Sequence, residues 1–208
     1  MKKIWTFSGL FLCLAVALNA LASEASIMER LKEEYKKIHS IKAEFIQETT
    51  LGVRKKTTYR GKVYIVQGKS RWDYETPKPQ LVITQGDKFL LYDPINKEAV
   101  KGLLDKEAIV TRGPFFSLIN QIQKYYDVKE IQENQLPILV LIPKKKGTPI
   151  QKITVYLDPK TLLIQKIETI DSLGNLNSVT FKNTQTNVPI EQAIFQVKLP
   201  PDVKISRP

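Results

Sequence analysis

Few side chains in this sequence are equipped for covalent or acid–base chemistry. There is one histidine, His39, and one cysteine, Cys13. Metal centres draw on clustered His and Cys, and a serine nucleophile needs a base within reach. His39 follows a helical pattern, where an imidazole interacts favourably with the last carbonyls, and no G-x-S-x-G nucleophile elbow occurs. Asp73 and Glu75 stand two apart in a strand pattern, so they share a face and could pose as a carboxylate pair. With Arg71 and several lysines beside them, an exposed salt-bridged ladder is the simpler reading. Asp93-Pro94 and Asp158-Pro159 are turn chemistry. The expectation is therefore a protein that is not an enzyme and needs neither metal nor cofactor.

The N-terminus places the chain. Met1-Lys2-Lys3, an apolar stretch from Ile4 to Leu18, and Ala20-Leu21-Ala22 match the three parts of a secretory signal, with cleavage expected before Ser23. The stretch is shorter than the roughly 18 to 20 residues that span a bilayer. Leu12 rather than a small residue precedes Cys13, so lipidation is not expected. Loss of residues 1–22 removes Lys2 and Lys3 and takes the formal charge from +11 to +9. It also removes Trp5, leaving Trp72 as the sole tryptophan. Without cysteine no disulfide is available, so residues 23–208 must hold together as one domain through their core.

Charge alone invites a nucleic-acid partner, but the cations are 26 Lys and only 6 Arg, spread along the chain. Arg is the better reader of phosphates and bases. The densest run, Lys144-Lys145-Lys146-Gly147, falls between two strand patterns and reads as a solvated turn. No nucleic acid is expected; weak attraction to anionic phospholipid fits a secreted chain better.

These residues are positioned by a succession of short elements. Ile27, Leu31, Tyr35 and Ile38 recur at helical spacing, predicting a helix over 25–38. From Ile41 the period becomes two. Strands are predicted near 57–67, 70–76, 80–85, 88–93, 96–100, 125–132, 136–143, 151–158, 162–171 and 175–186, each bounded by a turn signal. Between them, 102–123 reads as two short helices, the second opened by Pro114 and conspicuously apolar. Evenly spaced strands with tight turns mean one antiparallel sheet, strongly curved or nearly closed. Phe89-Leu90-Leu91-Tyr92 and Ile138 to Ile142 are apolar on both faces, where a half-wet sheet would alternate. The pattern leaves open whether helices fill the interior or cover a ligand cavity.

Several motifs together resemble the periplasmic outer-membrane lipoprotein carrier (LolA) family. They are the helix followed by Ala43-Glu44-Phe45-Ile46-Gln47, the glycine-led Gly61-Lys62-Val63-Tyr64-Ile65, and Arg71-Trp72-Asp73-Tyr74-Glu75. Gln80 to Gln85, Gly86-Asp87-Lys88 and Leu91-Tyr92-Asp93-Pro94 continue the match, and Phe195 to Pro201 closes it. The resemblance implies an incomplete antiparallel β-barrel of about eleven strands, covered by short helices and enclosing an apolar cavity. It implies a monomeric periplasmic carrier of the acyl chains of lipid-modified proteins. Such a carrier takes them from an inner-membrane lipoprotein-releasing transporter to an outer-membrane receptor. A periplasmic sensory or structural domain using the same barrel is the alternative, and a hydrolase comes third. The expected cavity lining is Phe45, Val63, Ile65, Trp72, Leu81, Phe89, Leu91, Phe115 and Phe116.

One position departs from the family. Its members carry an arginine that helps fasten the helical lid, and Val66 stands there, followed by Gln67-Gly68-Lys69-Ser70. Valine has no side-chain donor. Either Lys62, Lys69 or Arg71 substitutes, or the lid closes by apolar packing of Phe115 and Phe116. Alternation about the turn is expected to place Lys69 and Arg71 on the face opposite Val66, which favours apolar closure.

Overall fold

The structure, a computed structural model, describes residues 25–52, 55–104 and 119–207. The expected leader lies outside these residues, as does the segment containing Phe115 and Phe116.

The first element, α1 (Ile27–Lys36), begins where its free amides find oxygens. Ser26 Oγ accepts from Glu29 N at 3.2 Å and the Glu29 carboxylate accepts from Ser26 N at 3.1 Å, a reciprocal capping box. The Glu130 carboxylate, far along the chain, accepts from Ile27 N at 2.7 Å and Met28 N at 3.1 Å. All three first-turn amides are thus bonded, and two carboxylates face the positive end of the helix dipole. The other end is held by Asn187, which donates to Lys37 O and accepts from His39 N. The exposed His39 imidazole does not take the capping role expected of it, because the helix ends three residues earlier.

Twelve strands follow: β1 (Ser40–Leu51), β2 (Lys55–Val66), β3 (Lys69–Thr76), β4 (Gln80–Gln85), β5 (Lys88–Asp93) and β6 (Glu98–Leu103) up to residue 104. After it come a 3-10 turn (Ile119–Gln121) and the short α2 (Ile122–Tyr125). Then follow β7 (Tyr126–Glu133), β8 (Leu136–Pro143), β9 (Ile150–Leu157), β10 (Ile164–Asp171) and β11 (Leu176–Thr186). A second 3-10 turn (Gln192–Phe195) leads to β12 (Lys204–Ser206). They form one sheet in the order β12-β6-β5-β4-β3-β2-β1-β11-β10-β9-β8-β7, antiparallel except where β12 runs parallel to β6. The ends β12 and β7 do not pair, so the barrel is unclosed. The expected strand at 96–100 begins at Glu98 instead, because the Asp93 carboxylate accepts from Ile95 N and Asn96 N and extends the turn. The twelfth strand is three residues long, too short to leave a periodic signal.

The sheet curls around one core. Met28 and Leu31 of α1 pack with Ile41, Phe45 and Val63 from one half of the sheet and with Leu139, Leu141, Ile153 and Val155 from the other. The opposite, outer face of β3 is crossed by the 3-10 turn at Gln192–Phe195, and β12 extends the sheet beyond β6. Arg71 Nη1 donates to Ile194 O at 2.6 Å, Lys69 Nζ lies 5.9 Å over the Phe195 ring, and β12 pairs with Ala99. Ile83, Ala99 and Phe195 are buried there. In β4 both sides are therefore apolar: Val82 faces the interior and the outward Ile83 is buried as well.

Candidate functional site

Strand register decides which of the expected lining residues meet. Directly paired residues of an antiparallel sheet project to the same side. Ile41 pairs with Ile65, Ala43 with Val63, and Phe45 with both Gly61 and Phe181. Continuing outward, Val63 pairs with Trp72, Trp72 with Val82, Val82 with Leu91, and Leu91 with Val100. Phe89 joins this face through Thr84 and Ser70. Phe45, Val63, Ile65, Trp72, Phe89 and Leu91 therefore share the inner face. Leu81 does not: it pairs with Asp73 and Tyr92 on the outer face. In β4 both faces are apolar, so alternation carried no register there, and the inner position belongs to Val82.

The inner face has two zones. Phe45, Val63 and Ile65 are buried to within a few per cent and form a floor beneath α1. Trp72, Val82, Phe89, Leu91 and Val100, in β3 to β6, are only half-buried. Gly61 explains how the floor is built. A Cβ there would lie 2.0 Å from the Asp73 carbonyl oxygen and 2.9 Å from Phe45 Cε1. The missing side chain lets β3 approach and lets the Phe45 ring cover the site. From that position Phe45 meets Trp72 edge-on at 5.1 Å and Tyr74 at 4.9 Å, and Trp72 lies 6.0 Å from Phe181.

Polar groups on this face are paired with one another. Ser70 and Thr84 share a buried hydrogen bond of 2.7 Å. Tyr74 Oη donates to Gln47 Oε1 at 2.9 Å, Gln47 Nε2 donates to Asn177 Oδ1 at 2.8 Å, and Thr49 Oγ1 donates to the same oxygen. Burial, with the neighbouring Tyr59 adding to it, pushes the Tyr74 phenol up to about 12, so it remains a neutral donor. The exception is Trp72. Its indole N–H is buried and has no hydrogen-bond partner among the described residues. Sequence reading did not single out Val82, Val100 or the Gln47–Asn177 pair. The signal for Val82 was its place ten residues from Trp72 across a two-stranded turn, but it requires knowing where that turn falls.

The charged residues singled out in the sequence are occupied elsewhere. Arg71 Nε donates to both Asp73 oxygens at 2.9 Å, and Lys62 pairs with Glu75 at 3.1 Å, so the carboxylates form the expected ladder. Val66 pairs directly with Lys69. It therefore lies on the same outer face as Lys69 and Arg71, contrary to the expectation, because the two-residue turn restarts the alternation. Lys69 donates to Gln192. Among the described residues no group of three or more His, Cys, Asp or Glu could hold a metal ion, and no helix is long and apolar enough to cross a membrane.

The geometry defines a class: an unclosed, strongly curved antiparallel barrel with an apolar inner face partly covered by helix. The model of the outer membrane lipoprotein carrier protein LolA matches residues 36–198, and the chain belongs to that family. An outer-membrane lipoprotein carrier protein of Francisella philomiragia is 27% identical over 213 residues, covering 99% of this chain and 97% of that protein. Another, of Methylobacillus flagellatus, is 27% identical and covers 91% of this chain and 95% of its own length. Among solved structures, an uncharacterized conserved protein from Thermus thermophilus matches with a TM-score of 0.55 at 11% identity, over 88% of this chain and 97% of that one. A DUF1329 family protein from Desulfovibrio piger matches at 0.51 and 16% identity, over 82% and 94%. These two likenesses concern the fold alone.

Proposed function

We propose that this chain is a periplasmic carrier that shields the acyl chains of lipid-modified proteins on the inner face of its barrel. The observation that carries the reading is the half-buried apolar strip of Trp72, Val82, Phe89, Leu91 and Val100 beside a fully packed floor. Family membership and the names of the relatives support it. The carrier accepts its cargo from an inner-membrane lipoprotein-releasing transporter and yields it to an outer-membrane receptor, working as a monomer after loss of residues 1–22.

The physical need is clear. Three acyl chains of about sixteen carbons, at ~0.8 kcal/mol per methylene, cost roughly 35 kcal/mol to expose to water. Unassisted crossing of an aqueous gap is negligible at that cost. Shielding and release require no bond to be made or broken. The Trp72 N–H, which has no partner among the described residues, supplies a donor for the ester or amide carbonyl that links an acyl chain to its protein. Lid closure by apolar packing of Phe115 and Phe116, which lie outside the described residues, is part of the same reading; Lys62, Lys69 and Arg71 are each engaged on the outer face.

The test uses Trp72 as a local probe, since it is the sole tryptophan beyond residue 22. Titration of the processed protein with a triacylated lipopeptide shifts or quenches its emission, and the unacylated peptide does not. Equal responses to both peptides, or no binding of the acylated one by calorimetry, refute the reading.

A further inference from the structure

We propose that one end of the sheet is a docking surface for anionic phospholipid bilayers, distinct from the acyl-chain face. At this end lie the turns β1–β2, β3–β4, β5–β6, β8–β9 and β10–β11. Three of them are stitched into one rim. Gly52 N donates to Asn175 Oδ1 at 3.1 Å, joining the β1–β2 and β10–β11 turns. Ser172 N donates to Pro149 O at 2.8 Å, joining the β10–β11 and β8–β9 turns.

This rim is apolar where a turn is ordinarily polar. Leu173 is 83% exposed and Leu51 50% exposed. Of the six large apolar side chains classed as exposed among the described residues, four (Leu51, Ile95, Ile142 and Leu173) lie at this end. Leu173 is held out rigidly: Asp171 Oδ1 accepts from Leu173 N at 2.9 Å and from Asn175 N at 2.8 Å. A projecting leucine on a fixed turn gains nothing from the folded core and suits insertion into an acyl-chain boundary.

Charge complementarity selects the occupant. The described turns at this end contain Lys78, Lys97, Lys144, Lys145 and Lys146, against Asp93, Glu98 and Asp171. Within this rim Lys97 pairs with Asp202 and Lys144 lies 4.0 Å from Asp127. At the opposite end the turns 66–69, 85–88, 133–136 and 157–164 balance Lys69, Lys88 and Lys160 against Asp87, Glu133 and Asp158. Leucines projecting from separate tips beside lysines match a flat anionic surface better than a protein groove, which would meet a contiguous apolar patch.

The experiment is vesicle co-sedimentation of the protein purified from the periplasm of expressing cells. Vesicles of phosphatidylglycerol and phosphatidylethanolamine are compared with phosphatidylcholine, at low and high salt. Binding is expected to the anionic vesicles only and to weaken in high salt. Leu51→Asp and Leu173→Asp together are expected to lower it about tenfold or more, and Lys146→Gln about fivefold. Lys160→Gln, at the opposite end, leaves it unchanged. All variants retain the Trp72 response to lipopeptide, so failure here and failure of the carrier reading are told apart. Equal binding to both lipids, wild-type binding by the leucine variant, or capture of an acidic protein without vesicle binding overturns the proposal. So does a leucine variant that loses only the lipopeptide response.

Discussion

Phe45→Ala tests how the floor of the barrel is built. The ring is 1% exposed, meets Trp72 and Tyr74 edge-on at 5.1 and 4.9 Å, and covers the bare backbone of Gly61. Truncating a buried Phe costs about 3–5 kcal/mol, the larger values arising where neighbours cannot collapse into the space. Gly61 has no side chain to move in, and each edge-on aromatic contact adds roughly 0.5–1.5 kcal/mol. The upper half of that range is therefore expected, about 4–5 kcal/mol. For a domain of this size each kcal/mol lowers Tm by about 2–4 °C, so thermal unfolding should move down by about 8–20 °C. Urea unfolding followed by circular dichroism gives the free energy, and Trp72 emission in the native baseline reports loss of its neighbour. A cost below ~1.5 kcal/mol would refute the argument: the ring would then border open space, and Phe45 would line the ligand cavity and not its floor.

Register is tested by two neighbours on one strand: Val82→Asp should abolish the lipopeptide response of Trp72, whereas Leu81→Asp, on the outer face, should leave it intact in whatever fraction remains folded. Glu130→Ala removes the acceptor of the Ile27 and Met28 amides and should cost about 1–2 kcal/mol in urea unfolding. Asp158, whose carboxylate accepts from Lys160 N and Thr161 N, is held below the usual carboxylate range chiefly by the Thr161 amide. A depressed folded value stabilises above the unfolded one and is lost as pH falls through the folded one. Wild type should therefore lose urea resistance in acid more steeply than Asp158→Asn. Tyr74 has the opposite sign. Its folded value near 12 lies above 10, so its contribution is complete below pH 10 and fades as pH rises toward 12. Tyr74→Phe should flatten that alkaline loss.

Much of this architecture was written locally. Alternating apolar residues and Gly, Pro and Asp turns located nearly every strand, because a side-chain period of two and a turn's φ requirements are properties of a few adjacent residues. The amphipathic first helix and the carboxylate ladder at Asp73 and Glu75 were legible for the same reason. Register was not. Leu81 and Val82 are equally apolar, and only pairing with Asp73 and Trp72 assigns one outward and the other inward. Val66 was expected opposite Lys69, but a two-residue turn places them side by side. The capping of α1 by Glu130, a hundred residues distant, the packing of Ile194 and Phe195 over the outer face, and the edge pairing of β12 leave no periodic trace. Each joins segments remote in the chain, so no window of sequence contains both partners. The sequence by itself determined the strands and their turns. The curled sheet decided which apolar residues became floor, which remained accessible, and which exposed leucines came to stand beside lysines.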